Sequence, residues 1–279
     1  MDPLAPLLSR FRLNAAVFFS GSLCGMADFD TKRDAGILHV LRRGRLRVVQ
    51  RSGATFELTQ PTLLFYRQSL AHRFEADATD RADLVCANVD FGATLGNPVF
   101  RGLPELLRVP LADMAGAEPT LGLLFDEAFA NRAGRQAGVD RLMEYFVVLL
   151  LRHTIDARLI TLGLAAGLAD ARLAKSITAM HDQPELAWSL EGLAQVAGMS
   201  RARFAAAFRE TVGTPPLDYL TDWRVSVAQT LLMRGRPLKS VAPAVGYLSP
   251  AAFARVFSKR VGSSAIDWAA AQRASAASE

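Results

Sequence analysis

An internal repeat constrains the fold of this 279-residue chain more than any other feature. Residues 190–199 match residues 238–247 at an offset of 48, and after one extra residue, Leu248, the match continues at an offset of 49. Similar residue types recur over about 30 positions, including the pairs Phe204 and Phe253, Phe208 and Phe257, Val212 and Val261, Gly213 and Gly262, and Tyr219 and Trp268. Self-similarity of this kind predicts two copies of one small supersecondary motif.

Each copy has the residue order of a helix-turn-helix motif. A glycine that can adopt the left-handed conformation ends a short helix, a serine caps the next helix, and two phenylalanines four residues apart hold that second helix to the core. These residues are Gly198, Ser200, Phe204 and Phe208 in the first copy and Gly246, Ser249, Phe253 and Phe257 in the second. The face opposite the phenylalanines is then free to enter a DNA major groove.

A further helix is predicted between the two copies, over residues 217–234. At 1.5 Å per residue it spans roughly 25 Å, and a rigid spacer of that length can hold two recognition helices about one DNA turn, near 34 Å, apart. The alternative is a plain helical bundle with an internal duplication. One residue departs from the pattern: Pro243 falls inside the first helix of the second copy, where proline removes a backbone donor.

The charge distribution follows the repeat. Residues 171–279 carry 13 basic and 8 acidic side chains, whereas residues 1–170 carry 19 of each. The whole net charge of +5 therefore lies in the duplicated region. A basic region joined to a neutral one indicates an anionic partner for the basic part, with nucleic acid the first candidate and a weakly basic solvated surface the alternative.

The first part of the chain has the two-residue period of β-strands. Residues 37–41 and 45–49 flank Gly44 and predict a tight hairpin, because glycine supplies the positive φ of a short loop. Further strands are predicted over Thr55–Leu58, Thr62–Tyr66 and residues 84–91. Many short strands separated by turns indicate a sandwich or a small barrel, and a hydrophobic content of 51% excludes a disordered chain.

After Pro119 the period lengthens to that of amphipathic helices. Leu121, Leu124, Phe125 and Ala128 share one face, residues 139–155 form a strong amphipathic helix, and residues 159–169 form a short apolar one. The first two helices either carry a dimer contact or pack against their own barrel. The predicted domains are residues 1–118, a β domain; 119–170, a helical linker whose helices are candidates for a dimer contact; and 171–279, the duplicated domain.

The cellular compartment is predicted from the cysteines and the apolar segments. Cys24 and Cys86 match no metal-binding or redox spacing, which favours a reducing compartment. The start of the chain lacks the basic residues of a signal peptide. Residues 146–151 and 159–169 fall short of the roughly 18 apolar residues that cross a bilayer. We therefore expect a cytoplasmic protein with no membrane partner.

These motifs together resemble the AraC/XylS family of bacterial transcriptional regulators. The match runs over residues 175–273, and its most telling pieces are Tyr219-Leu220-Thr221-Asp222-Trp223-Arg224 and Val245-Gly246-Tyr247. The first part resembles the cupin-type regulatory half of one branch of that family, in Gly96-Asn97-Pro98, Leu103-Pro104, the helix at 170–181 and Trp188. The resemblance implies an α+β chain with a small cupin-like β-barrel, a helical linker and an all-α DNA-binding domain of two helix-turn-helix units. The implied partners are promoter or operator double-stranded DNA, a small-molecule effector, a second copy of the chain in a homodimer, and RNA polymerase.

The resemblance and the helix periodicity together give a candidate DNA-binding surface that is poor in hydrogen-bonding groups. Arg255 is expected to be the main direct reader of a base, because arginine makes bidentate contacts to guanine and alanine cannot. Arg201, Arg203, Arg209, Lys259 and Arg260 are expected to contact phosphates. The remaining predicted contact residues are Ser200, Ala202, Ala205, Ala206, Ser249, Pro250, Ala251 and Ala254.

The β domain offers an effector site and weak signs of a metal site. A barrel lined by Phe19, Leu38, Val40, Phe65, His72 and Val89 would suit a small, largely apolar ligand. His39 and His72 could form a metal site only if Glu57 or Glu75 converged on them. No catalytic residue and no cofactor is therefore assigned. The alternatives to a regulator are a metal-dependent cupin enzyme with an appended helical domain, and a sensor whose DNA contacts have decayed.

Overall fold

A computed structural model describes residues 2, 4–10, 13–29, 35–68, 70–77, 81–90, 103–160 and 162–277. Its strands are β1 Asn14–Leu23, β2 Gly25–Phe29, β3 Gly36–Arg43, β4 Leu46–Gln50, β5 Thr55–Leu58, β6 Thr62–Tyr66, β7 His72–Ala76, β8 Ala82–Asp90 and β9 Leu106–Pro110. Its helices are α1 Ala5–Arg10, α2 Ala117–Phe129, α3 Arg135–Asp156, α4 Leu164–Ala169, α5 Leu173–Asp182, α6 Leu190–Val196, α7 Arg201–Val212, α8 Pro216–Met233, α9 Leu238–Ala244, α10 Pro250–Val261 and α11 Ala265–Ala277.

These elements form two compact units. The β unit comprises the described residues within Leu13–Phe91 and Leu103–Leu159, and the helical unit comprises those within Met1–Arg12 and Ile160–Glu279. Across the described residues, no helix is both long enough and apolar enough to cross a bilayer. The predicted resemblance at Gly96-Asn97-Pro98 lies outside the described residues.

The β unit consists of two antiparallel sheets that bury a shared core. The strand order is β1-β8-β3-β6-β9 in the five-stranded sheet and β2-β7-β4-β5 in the four-stranded sheet. Val48 and Phe74 of the smaller sheet and Ile37 and Leu84 of the larger one belong to one cluster and are 0% exposed. Among the described strands none pairs with a strand of the other sheet, so the predicted barrel is an open pair of sheets.

The predicted hairpin around Gly44 is wrong, although both of its strands exist. β3 pairs with β6 and β8, whereas β4 pairs with β5 and β7. Gly44 has φ 91°, and a Cβ atom there would collide with the carbonyl oxygen of Arg81. The turn therefore requires glycine as expected. It carries the chain from one sheet to the other, which a local turn signal cannot reveal.

Helices α2 and α3 pack against the larger sheet. α3 contacts α2, β1 and β8. Its side chains Val139, Met143 and Phe146 are at most 1% exposed, and the carboxylate of Asp140 accepts a 2.7 Å hydrogen bond from the amide of Val17. Packing of these helices on their own β unit, one of the two alternatives from the sequence, is therefore observed.

The helical unit repeats its internal packing as the sequence repeats. The ring of Phe208 meets that of Tyr219 edge-on at 5.5 Å between centroids, and the ring of Phe257 meets that of Trp268 in the same way at 5.9 Å. α8 lies between the two copies in the chain and contacts α7, α9, α10 and α11. It confirms the helix predicted over residues 217–234 to within one residue at each end. α1 packs on α5 in this unit.

Candidate nucleic-acid interface and buried histidine pair

The two helix-turn-helix copies share one turn geometry. In the first copy the amide of Met199 donates to the carbonyl of Ala194 at 2.9 Å, and in the second the amide of Tyr247 donates to the carbonyl of Ala242 at the same distance. The glycine before each donor is left-handed, with φ 65° and 81°. This is the pattern of a Schellman motif, which ends a helix and fixes the direction in which the chain leaves it. The predicted glycine-ended turns are confirmed.

The two copies differ immediately after that turn. The second copy contains Leu248, the residue that breaks the repeat, and its relative exposure is 107%. Ser249 then caps α10, because its hydroxyl oxygen accepts a 3.1 Å hydrogen bond from the amide of Ala252. Ser200 occupies the N-cap position of α7 but makes no side-chain capping bond. The predicted capping role is therefore confirmed for Ser249 and wrong for Ser200.

Arg224 holds the second turn in place, a role that the sequence did not reveal. Its guanidinium donates to the carbonyl oxygens of Pro184 and Leu186, each at 2.7 Å, and lies 5.5 Å from the ring centre of Tyr247. A Cβ atom on Gly246 would lie 2.7 Å from this guanidinium and 2.9 Å from the carbonyl oxygen of Glu185. Glycine is thus required here for its φ angle and for space. The available signal was that Arg224 is the one basic residue of α8.

The predicted recognition helices bury their phenylalanines and expose the opposite face. Phe204, Phe208, Phe253 and Phe257 are all 0% exposed. Of the predicted contact residues, Ala205 and Ala254 are half-buried, and the others are exposed: Ser200, Arg201, Ala202, Arg203, Ala206, Arg209, Ser249, Pro250, Ala251, Arg255, Lys259 and Arg260. Each helix therefore presents a surface of small residues edged by cations.

Arg260 is engaged within the protein, unlike the other predicted cations. Its guanidinium lies 2.5 Å from Asp218 Oδ1 and 3.4 Å from Asp222 Oδ1. Among the described residues, no carboxylate forms an ion pair with the cations at the other positions, which are Arg201, Arg203, Arg209, Arg255 and Lys259. These five side chains keep their full charge available to an anionic partner.

In the β unit, His39 and His72 form a buried pair that links the two sheets. Their Nε2 atoms are 3.0 Å apart, and Nδ1 of His72 lies 2.7 Å from the carbonyl oxygen of Leu70. A carbonyl can only accept, so Nδ1 of His72 carries the proton and its Nε2 is the acceptor. Nε2–H of His39 therefore donates to His72, and the unprotonated Nδ1 of His39 has no hydrogen-bond partner among the described residues.

Aromatic rings enclose this pair. Tyr66 stacks on His72 at 4.1 Å, Phe29 stacks on its ring at 5.2 Å, and Phe74 lies edge-on to His39 at 4.7 Å. Burial lowers the pKa of His72 and, reinforced by repulsion from His72, lowers the pKa of His39 well below its usual value. Burial also raises the pKa of Tyr66. Both imidazoles are consequently neutral at pH 7.

The structure does not bring the six predicted effector residues together. Phe19 packs on the core between the sheets, and His72 points into the same space. Leu38, Val40, Phe65 and Val89 lie on the opposite face of the larger sheet, because alternate strand residues face opposite ways. A groove of about 520 Å³ does open beside His72, and its lining residues are Asp28, Phe29, Val49, Gln50, Arg51, Ala71, His72 and Arg73.

The residues around the histidine pair do not fit a metal site. Glu75 pairs with Arg47 at 3.5 Å on β7, one residue after the inward-facing Phe74, and Glu57 lies opposite Arg47 in the sheet register. Neither carboxylate converges on the pair. Within the described part of the chain, no three His, Cys, Asp or Glu side chains are grouped so that they could hold a metal ion.

Both units are similar in sequence to known protein families. Residues 2–156 match the cupin family model, and residues 193–271 match the model of a helix-turn-helix domain. An uncharacterised HTH-type transcriptional regulator of Haemophilus influenzae is 30% identical over 251 residues, which is 81% of this chain and 84% of that one. The RCS-specific HTH-type transcriptional activator RclR of Escherichia coli K12 is 28% identical and covers 94% and 95% of the two chains. A putative AraC-like transcription regulator of Streptomyces lividans is 32% identical over 66% of this chain and 62% of that one.

Proposed function

Because this chain belongs to the AraC-type helix-turn-helix transcriptional regulators with an N-terminal cupin domain, we propose that α7 and α10 enter successive major grooves of a promoter or operator. The protein is a DNA-binding transcriptional regulator. The proposal rests above all on the duplicated turn and its exposed helix faces, whose cations at Arg201, Arg209, Arg255 and Lys259 have no carboxylate partner among the described residues. We propose that it acts on DNA in the cytoplasm and has no catalytic activity of its own.

The exposed cations divide into two proposed roles. Arg255 lies in the second turn of α10, where a bidentate contact to guanine can be made. Arg201, Arg203, Arg209 and Lys259 are proposed to contact phosphates, which sets the position of the protein but carries little sequence information. Arg260 is removed from this set, because its charge is already compensated within the helical unit.

The β unit is proposed to sense a small molecule. The supporting feature is the groove of about 520 Å³ lined by residues at the end of β2, the end of β4 and the start of β7. Its lining includes the rings of Phe29 and His72 and the polar side chains of Gln50 and Arg51, which suits a small, largely apolar ligand with a polar end. The effector residues proposed from the structure are therefore those of the groove, and of the residues predicted from the sequence only His72 is among them. A ligand screen by thermal shift tests the site, and unchanged binding of a hit by an Arg51→Ala, Phe29→Ala double variant would place the ligand elsewhere.

Homodimerisation is proposed through the outer side of α2 and α3, with RNA polymerase as a further partner at the promoter. Leu123 on α2 is 62% exposed, and Tyr145 on α3 is 43% exposed. Large apolar side chains on two adjacent helices are a common feature of protein interfaces. Sedimentation of the chain and of a Leu123→Asp variant tests the contact. A wild-type chain that stays monomeric at micromolar concentration would contradict it.

The experiment that tests the proposed function is selection of genomic DNA by the full-length chain. Fragments that bind are recovered at physiological salt and sequenced, with a variant carrying Arg201→Ala, Arg209→Ala and Arg255→Ala as the control. We expect one recurring motif with the wild-type chain and none with the variant. Equal recovery of all fragments by the wild-type chain would show charge-driven binding without sequence recognition and would contradict the proposal.

A further inference from the structure

Leu248 stands at a fixed and fully exposed position beside the second recognition helix. On one side the amide of Tyr247 is bonded to Ala242, and on the other Ser249 caps α10, so both neighbours of Leu248 are held by hydrogen bonds. Leu248 itself has a relative exposure of 107%, so the described residues leave its side chain uncovered. The first copy has no counterpart of this residue, because the repeat passes directly from Met199 to Ser200.

The first turn of α10 continues this apolar surface. Pro250 and Ala251 are exposed, and neither has a side-chain hydrogen-bonding group. The hydroxyl oxygen of Ser249 is occupied by the amide of Ala252. Residues at the start of a recognition helix lie nearest the base edges, so this part of the surface cannot read bases by bidentate hydrogen bonds.

We propose that the second unit reads thymine by its C5-methyl group, through the apolar surface formed by Leu248, Pro250 and Ala251. The thymine methyl is the apolar group that a base presents in the major groove, and alkyl side chains are its natural contacts. This inference rests on the proposed function, because it requires α10 to enter a major groove. It adds the chemistry by which that helix selects bases.

The two recognition helices would therefore contact the two halves of the DNA site with different chemical groups. The first turn of α7 exposes Arg201, Ala202 and Arg203 and has no inserted apolar residue. Its two guanidinium groups can contact phosphates and base acceptors, whereas the side chains exposed at the start of α10 carry no charge. The half of the site contacted by α10 is therefore read through thymine methyl groups at the start of the helix and through Arg255 in its second turn, whereas the half contacted by α7 is held mainly through phosphates.

Replacement of thymine by uracil tests this directly, because uracil lacks the methyl group and keeps every hydrogen bond. The probe is the DNA motif selected by the full-length chain, with each thymine replaced singly by deoxyuracil. Burial of one methyl-sized group changes an equilibrium about fourfold. We expect a loss of affinity of about that size at one or two positions, all within the half of the motif contacted by α10.

A Leu248→Ala variant completes the test. Leu248 is fully exposed, so the variant folds as the parent does, and we expect it to bind thymine and uracil probes more nearly alike. Met26→Ala, which shortens a 69% exposed side chain in the β unit, is the matched control and should keep the full difference. If no uracil replacement changes the affinity of the chain for the selected motif, this inference alone is overturned. Failure to select any motif would overturn it together with the proposed function.

Discussion

The guanidinium of Arg260, in the last turn of α10, lies 2.5 Å from the carboxylate of Asp218, in the first turn of α8. The same guanidinium reaches Asp222 one turn further along α8 at 3.4 Å. The contact fixes the second recognition helix against the helix that separates the two copies. Arg260, which helix periodicity predicted to contact DNA, is therefore bound within the protein instead.

Arg260 and Lys259 are adjacent exposed cations with different expected roles. Arg260→Ala should lower the free energy of unfolding of the helical unit by up to about 1 kcal/mol, the range of a partly exposed ion pair. Lys259→Ala should leave stability unchanged, weaken binding to all DNA sequences alike, and reduce the slope of log affinity against log salt by about 0.9. Urea unfolding and salt titrations of binding check both. A drop in salt slope with Arg260→Ala as large as with Lys259→Ala would contradict the assignment.

Arg255 and Arg209 separate base reading from phosphate contact. Arg255→Ala should relax selectivity at one base pair of the motif, by about 1–3 kcal/mol of discrimination. Arg209→Ala should weaken binding to the motif and to unrelated DNA by the same factor. Competition binding against single-base variants of the motif distinguishes the two. If both substitutions reduce affinity for every sequence equally, Arg255 is not a direct reader.

The buried histidine pair predicts a loss of stability of the β unit in mild acid. The folded pKa values of His39 and His72 are lowered, whereas unfolded histidine titrates near 6.5. Below about pH 6.5 these histidines bind protons in the unfolded chain but stay neutral in the folded chain. The free energy of unfolding of the β unit therefore falls as the pH is lowered. Each tenfold difference in proton affinity is worth about 1.4 kcal/mol.

The measurement compares unfolding at pH 7.5 and 5.5 by far-UV circular dichroism and by tryptophan fluorescence. All three tryptophans, Trp188, Trp223 and Trp268, lie in the helical unit, so a pH-dependent transition seen only by dichroism belongs to the β unit. His39→Gln should reduce the pH dependence, and His153→Gln on α3 should not. An unchanged pH dependence in His39→Gln would rule out this role for the pair.

Pro243 is predicted to lower the stability of the second helix-turn-helix copy. It is the sixth residue of α9 and exposed, and it has no amide to donate to the carbonyl of Lys239. Pro243→Ala should raise the stability of the helical unit, by less than the ~3 kcal/mol of a fully interior proline because proline also restricts the unfolded chain. Gln195→Ala, the equivalent position of the first copy, is the control and should change stability by less than about 0.5 kcal/mol. A tryptophan-detected Tm that does not rise would show that α9 tolerates the proline without cost.

The parts of the structure that could be predicted are those that local sequence chemistry decides. Gly198 and Gly246 were found because a left-handed helix end requires glycine, and the four buried phenylalanines because spacing alone sets their helix face. The strands Thr55–Leu58 and Thr62–Tyr66 were located to the residue. Each of these follows from backbone conformation or from a period.

The parts that could not be predicted depend on contacts distant in sequence. Gly44 was identified as a turn residue, but the sheet that the next strand joins is decided by pairing with β5 and β7. Leu38 and Val40 were predicted to line the effector site, yet both faces of the larger sheet are covered, so alternation did not show which face lies toward the smaller sheet. Arg260 is removed from the DNA surface by Asp218, whose proximity depends on how α8 packs.

We propose above all that the two helix-turn-helix units of one chain occupy successive major grooves. Methylation and hydroxyl-radical footprinting of the selected motif with the full-length chain measures this directly. We predict two protected major-groove segments on one face of the duplex, with centres about 10 base pairs apart. Arg255→Ala should remove protection at one base pair within one of these segments and leave the other segment protected. A single protected segment, or uniform protection along the duplex, would contradict binding of both units in successive major grooves.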